Sequence, residues 1–324
     1  MRYLSAAVLA VALAAGAGAA DRKNQKDDPT QIGTRDVGKC LNFYSIDKEM
    51  AWGKQLADEV ERESKIDDDA ILTEFVNRVG QNLARNSDAK VPFSFRVIDG
   101  EEVNAFALPG GFVFVYTGLI KLASEEDEFA GALAHEIAHV AARHMTCQAS
   151  KAQMAGIAGS IPGMVLGGWG GIAARQAGRS VIPMTLLSFN RHDESEADYL
   201  GVQYMYAAGY DPTGAVTIFE KLESLQKTRP GAVARVFATH PMDSQRIDKT
   251  EKEIQAILPA KPEYVVNTSE YTAVRERLLA RESAAKQPKT DGRPTLRRRS
   301  GDNPGDDPAQ PDERPTIKRR DLIE

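Results

Sequence analysis

One five-residue run, His135-Glu136-Ile137-Ala138-His139, constrains the fold of this chain more than any other feature of its sequence. The two histidines are four residues apart, so on an α-helix their side chains lie about 40° apart around the axis and converge on one point. Glu136 is turned by about 100° from His135, so it reaches a metal-bound water rather than the metal itself. The run therefore predicts a helix that holds a metal ion and carries a general base.

A second pair of residues at helical spacing supplies a further ligand. A catalytic zinc ion normally has three protein ligands and one open position, so two histidines are not enough. Glu194 and Asp198 are four residues apart at the start of a predicted helix. We expect Glu194 to bind the metal and Asp198 to accept a hydrogen bond from a ligand histidine, which orients the ring. The sequence thus predicts one Zn²⁺ per chain, held by His135, His139 and Glu194.

Most of the remaining chain has helical periodicity, and strands are predicted only before the metal motif. Amphipathic spacing predicts helices over residues 46–63, 68–85, 124–140, 193–209, 212–227 and 244–257. Alternating apolar residues predict a strand over 91–98, and two more strands flank a type II turn at Leu108 to Gly111. We therefore expect an α+β protein that is mainly α, with a small β-sheet and an active-site helix that carries the HExxH motif.

The N-terminus has the order of a secretory signal peptide. Arg2 is followed by an uncharged apolar run and then by small residues that end at Ala17-Gly18-Ala19. The apolar run is too short for an ordinary membrane span. We expect residues 1–19 to be removed and the mature chain to work in a bacterial periplasm.

Composition divides the rest of the chain into three parts. Residues 20–45 are expected to form an N-terminal extension, 46–284 a zinc metallopeptidase domain, and 285–324 a disordered charged tail. An imperfect basic repeat in the tail is either a solvated segment or a docking motif for anionic lipid or an acidic partner. The formal net charge of −5 provides no global basic field, so we expect no binding to nucleic acid.

Cys40 and Cys147 leave their pairing open at the level of sequence. Cys147 lies just beyond the helix that carries the metal motif. In an oxidising compartment a disulfide would pin the N-terminal segment to the catalytic core. The alternative is two independent thiols, because pairing depends on a Cα geometry that the sequence does not give.

Residues 152–174 carry no charge, and they also allow more than one interpretation. Their length permits a membrane span, but their Gly, Ser and Pro content makes them weakly hydrophobic. We favour a pair of short helices or a mobile loop that covers the cleft. The rival interpretation is a membrane-embedded protease.

Several motifs together resemble a known family. The HEIAH run and the block Glu194-Ser195-Glu196-Ala197-Asp198 resemble the gluzincin metallopeptidase family of the CAAX prenyl protease and HtpX, most like its soluble periplasmic BepA-type members. Further blocks follow in the family's order: Asn104 to Gly111, Gly209 to Pro212, and Thr239-His240-Pro241 with Arg246. The family usually has Ser-Arg where this chain has Asn190-Arg191, a departure that affects no ligand.

The resemblance implies a zincin-like metalloprotease and suggests roles for other residues. His240 is expected either to occupy the fourth zinc position and stabilise the oxyanion after it swings away, or to pack near the site without touching metal. Arg246 is expected either to stabilise the oxyanion or to pair with an acid. Two other histidines are expected to lie outside the chemistry, His144 in a structural role and His192 in a solvated loop.

The hairpin is expected to bind substrate, because zincins take up a substrate as an additional strand on an exposed sheet edge. Two glycines would let another backbone approach closely, so we expect residues 111–115 to form that edge. The alternative is a purely structural hairpin. The expected contact residues are Asn104, Gly110, Gly111, Phe112 and Val113.

These observations predict a zinc metalloendopeptidase of the cell envelope in which Glu136 is the general base and His240 or Arg246 stabilises the oxyanion. The resemblance implies unfolded or misassembled proteins as substrates, with envelope assembly machinery and peripheral membrane contact as further expectations. The alternative hypothesis is a latent protease that acts mainly as a chaperone-like assembly factor.

Overall fold

A three-stranded sheet enclosed by helices organises the fold. The computed structural model describes residues 28–154, 188–241 and 244–286. The strands are β1 (Ser94–Ile98), β2 (Ala105–Leu108) and β3 (Phe112–Tyr116). The helices are α1 (Ile46–Glu63), α2 (Ala70–Arg85), α3 (Thr117–Leu122), α4 (Glu126–Ala141), α5 (His144–Met154), α6 (Arg191–Ala208), α7 (Thr213–Thr228), α8 (Ala234–Thr239), α9 (Ser244–Ile257) and α10 (Ser269–Lys286).

Three of the predicted segments lie wholly or mainly outside the described residues. They are the signal peptide, the uncharged segment from residue 155 onward, and the charged tail with its basic repeat. Among the helices within the described ranges, none is both long enough and apolar enough to span a bilayer.

The strand order corrects the predicted substrate edge. The sheet has the order β1-β3-β2, with β1 parallel and β2 antiparallel to β3. Phe112 pairs with Ser94 on one side and with Leu108 on the other, so residues 112–116 form the central strand. The prediction that residues 111–115 form an exposed edge is therefore wrong. The edge that lies against α4 belongs to β2.

The predicted type II turn is present, but protein covers its two glycines. The Gly111 N–H donates to the Leu108 carbonyl at 3.3 Å, and Gly110 and Gly111 have φ values of 78° and 89°. A Cβ on Gly110 would lie 2.6 Å from the Met50 Cα, and one on Gly111 would clash with the Pro92 carbonyl. The glycines thus let α1 and the segment before β1 pack closely, and their backbone is not free to receive a substrate.

Both faces of the sheet are buried. One face, which includes Val97 and Val113, joins a large core with α2 and α4. The opposite face, which includes Phe106 and Phe114, joins a smaller core with residues of α1 and α5. The sheet therefore connects α4 to the N-terminal part of the domain.

Helix α4 is buried along almost its whole length. It packs against α2, α6, α7 and β2. Small side chains make this possible: a Cβ on Gly131 would lie 2.8 Å from the Ala215 Cα of α7. A helix that is buried on all sides needs no hydrophilic face, so polar side chains inside it require a specific partner or function.

The N-terminal extension, where the structure describes it, packs into the domain. Arg35 is 2% exposed and donates to Asp88 and to the Gln203 side chain. Cys40 and Cys147 form a disulfide, with their Cα atoms 5.9 Å apart. The bridge resolves the choice that the sequence left open, and it pins the extension to α5.

The buried acid Asp127 at the start of α4 makes stability depend on pH. Burial, reinforced by the negative charge of Asp211, raises the pKa of Asp127 to about 7, whereas in an unfolded chain it is near 3.8. The folded state therefore binds the proton more tightly, and stability contributed by this group is lost as pH rises through that window.

Asp127→Asn is expected to raise the free energy of unfolding by about 2 kcal/mol at pH 8 and to change it little at pH 4. Urea unfolding at both pH values measures this difference. Asp248→Asn, which replaces an exposed acid of α9, is the matched control and should show no such dependence. An equal effect of Asp127→Asn at both pH values would contradict the prediction.

Candidate metal centre

Helix α4 directs both histidines of the predicted motif to one point. The Nε2 atoms of His135 and His139 are 3.1 Å apart, and both rings are buried. Glu136 is buried beside them. The structure therefore brings these three residues together as their spacing predicts.

Helix α6 supplies the carboxylate. The helix begins one residue after Asn190, whose Oδ1 accepts the backbone N–H of His192 at 2.9 Å. Glu194 lies in the first turn and is completely buried. Its two carboxylate oxygens each lie 3.5 Å from an Nε2 atom, one from that of His135 and the other from that of His139.

His240, directly after α8, adds a fourth donor. Its Nδ1 lies 3.3 Å from the Nε2 of His135 and 3.0 Å from the Oε1 of Glu194. Its Nε2 lies 3.5 Å from the Oε1 of Glu136. Of the two positions expected for His240, the structure shows the one among the ligand atoms.

We call His135, His139, Glu194 and His240 the metal-ligand cluster. Each residue offers one ligand atom, and these atoms all lie within 4.8 Å of one another. The separations above are 3.0–3.5 Å, close to the roughly 3.3 Å between donors on a tetrahedral ion with bonds of about 2.0–2.2 Å. The cluster therefore fits a transition-metal ion bound by nitrogen and oxygen.

A metal ion requires deprotonated ligands, and without one His135 holds the proton of this cluster. Burial lowers the pKa of its ring, but Asp198 and Glu194 outweigh burial and raise the pKa to about 10, so a metal ion would displace that proton. Burial alone would raise the pKa of Glu194, but His240 and His135 outweigh it and hold the pKa well below its usual value. Burial and the neighbouring His135 lower the pKa of the His139 ring, which favours the neutral form. For Glu136, burial outweighs the opposing effect of His240 and His135 and raises the pKa of the carboxyl group. The raised pKa is nearer to the range of an effective general base.

Asp198 and Arg246 lie outside the metal-ligand cluster and contact its members. The Asp198 Oδ1 lies 3.0 Å from the Nδ1 of His135. Arg246 binds Asp198 through two nitrogens, at 2.7 and 2.8 Å, and a third nitrogen lies 2.8 Å from both Glu194 and the Pro241 carbonyl. These contacts favour the acid-pairing role of Arg246 over a role at the oxyanion.

The edge strand β2 is joined directly to Glu136. The backbone N–H of Ala107 donates to the Glu136 Oε2 at 3.0 Å. In an antiparallel pair, alternate residues direct their backbone groups away from the partner strand. Ala105 has the same orientation as Ala107, so both present backbone groups on the side of β2 that faces α4.

An apolar cavity opens beside Glu136 at the Ala105 end of this edge. Its polar lining includes Asn104, the residue among the predicted substrate contacts that reaches it. Most of its wall is apolar, formed by Val103, Leu119, Ala132, Phe219, Leu222 and Val236.

His144 has a closer connection to the metal centre than the sequence suggested. Its Nδ1 lies 2.9 Å from the Nδ1 of His139, and its Nε2 lies 3.2 Å from Glu196. On a continuous helix a residue five positions after His139 would face elsewhere, but α4 ends before it. The sequence signal for this contact is Glu196. It lies two residues after Glu194 in α6, so its side chain points away from the metal-ligand cluster and contacts His144 of α5.

Comparison with known proteins places this architecture in a family. Residues 70–254 match the profile of peptidase family M48. The chain is 28% identical over 285 residues to a beta-barrel assembly-enhancing protease of Yersinia pestis, which covers 85% of this chain and 57% of the relative. It is 30% identical over 240 residues to the protein of that name in Escherichia coli K12, which covers 70% of this chain and 47% of the relative.

A eukaryotic relative matches a shorter region. The mitochondrial metalloendopeptidase OMA1 of Schizosaccharomyces pombe is 34% identical over 182 residues, 56% of this chain and 52% of the relative. The chain spans about half the length of these curated relatives. The family profile covers more than half of the 324 residues and contains the HEIAH run and Glu194. The predicted resemblance is thereby confirmed: the chain belongs to peptidase family M48.

Proposed function

We propose that this chain is a zinc-dependent metalloendopeptidase of the bacterial cell envelope, and that it hydrolyses peptide bonds of unfolded or misassembled proteins. The observation that carries the proposal is the buried metal-ligand cluster with Glu136 beside it and the edge of β2 along it. His135, His139 and Glu194 would hold one Zn²⁺, the usual ligand number for a catalytic site, and His240 would be a replaceable fourth ligand. When bound, the ion would polarise the scissile carbonyl and lower the pKa of a coordinated water to about 7.

The chain's own residues supply the remaining steps. Glu136 takes the proton from the attacking water and passes it to the leaving nitrogen. The Ala107 N–H fixes the orientation of that carboxylate. The backbone groups of Ala105 and the carbonyl of Ala107 lie on the same side of β2 and would pair with an extended substrate as an additional strand, so main-chain hydrogen bonds would place the scissile bond beside Glu136.

The apolar cavity supports the proposed substrate class. Unfolded and misassembled proteins expose apolar side chains that native proteins bury. The cavity lies next to Glu136 and is lined mainly by apolar residues, so it would accept such a side chain next to the scissile bond. The names of the bacterial relatives, which refer to β-barrel assembly, support an envelope substrate.

The disulfide supports the proposed location. Disulfides persist in oxidising compartments such as the bacterial periplasm and are rare in the cytosol. The Cys40–Cys147 bridge therefore agrees with the export that residues 1–19 predict.

The position of His240 favours the second candidate function, a latent protease that acts mainly as an assembly factor. A ring in the fourth donor position competes with water and substrate for the metal. The same ring lies 3.5 Å from Glu136, so it also occupies space that an attacking water needs. Cleavage would then require His240 to move aside.

Glu136→Gln is expected to lower the rate of casein cleavage by about 10²- to 10⁴-fold, because the general base is lost while the metal ligands remain. Cleavage is measured by release of labelled fragments and zinc by elemental analysis, with one ion per chain expected in both proteins. Glu125→Gln, at the N-terminal end of α4, is the matched control. Equal cleavage by Glu136→Gln and wild type would refute the hydrolase proposal, and client maturation that survives this substitution would support the assembly factor.

His240→Ala is expected to raise the initial rate of cleavage while three ligands retain zinc. If the wild-type arrangement with His240 moved away from the metal has a population of about 10% or less, the cleavage rate should rise about tenfold or more. The double variant Glu136→Gln/His240→Ala controls for contaminating protease and should be inactive. A slower reaction in His240→Ala at full zinc occupancy would instead indicate that His240 acts on the oxyanion.

Ala132→Phe is expected to fill the apolar cavity, because Ala132 lies one turn before Glu136 on the same helix face. The value of kcat/KM should fall by about tenfold or more for bonds next to a large apolar residue, and much less for bonds next to Ala or Gly. Mass spectrometry of a digested peptide library measures the preference. Ala132→Ser, which adds little volume, is the control, and an unchanged preference in Ala132→Phe would exclude the cavity as the binding site for that side chain.

A further inference from the structure

A chain of hydrogen-bonding groups leads away from His139 on the side opposite to the metal-ligand cluster. The Nδ1 atoms of His139 and His144 are 2.9 Å apart. The Nε2 of His144 lies 3.2 Å from the Oε2 of Glu196. Both rings are buried, and the Glu196 side chain is 15% exposed. We call His139, His144 and Glu196 the relay.

When His139 binds a metal ion, only one placement of the protons satisfies every hydrogen bond of the relay. A neutral imidazole carries one proton, so a ring that binds metal through Nε2 carries its proton on Nδ1. His139 then donates from Nδ1, and the Nδ1 of His144 has to accept. The proton of His144 consequently lies on Nε2, where the Glu196 carboxylate accepts it.

The backbone holds His144 in this position. Arg143 has a φ of 58°, a left-handed conformation that is unfavourable for a residue with a Cβ. This residue lies two positions after the end of α4 and turns the chain so that the first side chain of α5 lies against His139. Its guanidinium donates to Glu49 and to the Tyr44 carbonyl, both at 2.6 Å, and these contacts stabilise the turn.

The other ligand histidine of α4, His135, has a shorter connection of the same kind. The Nδ1 of His135 lies 3.0 Å from Asp198, whose carboxylate is bound by Arg246. Each histidine that α4 contributes is therefore backed by a carboxylate, His135 directly and His139 through a second imidazole. Such partners fix the tautomer and the orientation of a ligand ring, and their loss typically lowers metal affinity.

We propose that His144 and Glu196 are positioning residues that hold His139 in the tautomer and orientation required for metal binding. The proposal rests on the proposed metal site and not on the cleavage of any substrate. It assigns a role in metal binding to a histidine outside the ligand set and to the middle acid of the Glu194-Ser195-Glu196-Ala197-Asp198 block.

The zinc affinity of the full mature chain tests the proposal. His144→Phe and Glu196→Ala are each expected to raise the zinc dissociation constant by about 10- to 100-fold, measured by competition with a chromophoric chelator. Glu196→Gln keeps an oxygen that accepts from His144 and should bind zinc nearly as tightly as wild type. His192→Phe replaces a histidine whose side chain is 85% exposed and is expected to have no effect.

A second readout separates positioning from a purely structural role. Ligand binding to the folded state raises the Tm, so weaker zinc binding reduces the zinc-induced rise. The proposal expects that rise to shrink in His144→Phe and Glu196→Ala. A lower Tm of the metal-free protein with an unchanged zinc-induced rise would overturn it, and so would wild-type zinc affinity in both variants. Failure of the protease proposal alone would give a different result. Zinc-loaded wild type would cleave nothing, but the zinc affinities of wild type and of the two variants would still differ.

Discussion

The burial of the Glu194 carboxylate among three imidazole rings is the interaction on which the rest of the structure depends. A carboxylate with no solvent exposure costs several kcal/mol unless opposite charge and hydrogen bonds surround it. Here Arg246 lies 2.8 Å from one oxygen and His240 lies 3.0 Å from the other. A bound cation would add the largest compensation of all. The site is therefore a place where folding and metal binding are coupled, because the same groups that bind the ion are costly to bury without it.

This coupling explains why each reactive group is attached to a different element. Glu136 is bound by an N–H of β2, His135 is backed by an acid of α6, and that acid is bound by an arginine of α9. His139 is backed by α5 through His144. A shift of any one of these elements would change the separations among the ligand atoms, and a metal site tolerates only small changes in bond length and angle. The small sheet and the closely packed helices around α4 therefore serve the geometry of the site.

The sequence predicted those parts of the structure that depend on local spacing. The helices over 46–63 and 244–257 have the predicted bounds, and the i, i+4 pairs in α4 and α6 meet as expected. The start of α4 was misplaced by two residues, because the Ser124 N–H donates to Glu128 and its hydroxyl is bound by Lys221 of α7, a contact across the fold. The prediction that β3 forms the edge of the sheet was wrong, because strand order is set by tertiary contacts. A strand shows the same alternation of side chains at the centre of a sheet as at its edge. The position of His144 depends on a left-handed residue that periodicity does not reveal.

The segment before α1, from Cys40 to Tyr44, forms tertiary contacts with the helix that positions His144. Asn42 donates to Thr146, the Phe43 N–H donates to Ser150, and the Tyr44 carbonyl accepts from Arg143. All three partners lie in or directly before α5, the helix that begins with His144. Together with the Cys40–Cys147 bridge, these bonds fasten the segment along α5. A disulfide restricts the conformations of the unfolded chain, so the bridge favours the folded arrangement in which this segment lies along α5. The oxidising compartment proposed for this protein would thus favour the bridge, and with it the bond between the Tyr44 carbonyl and Arg143, the residue whose turn places His144 against His139.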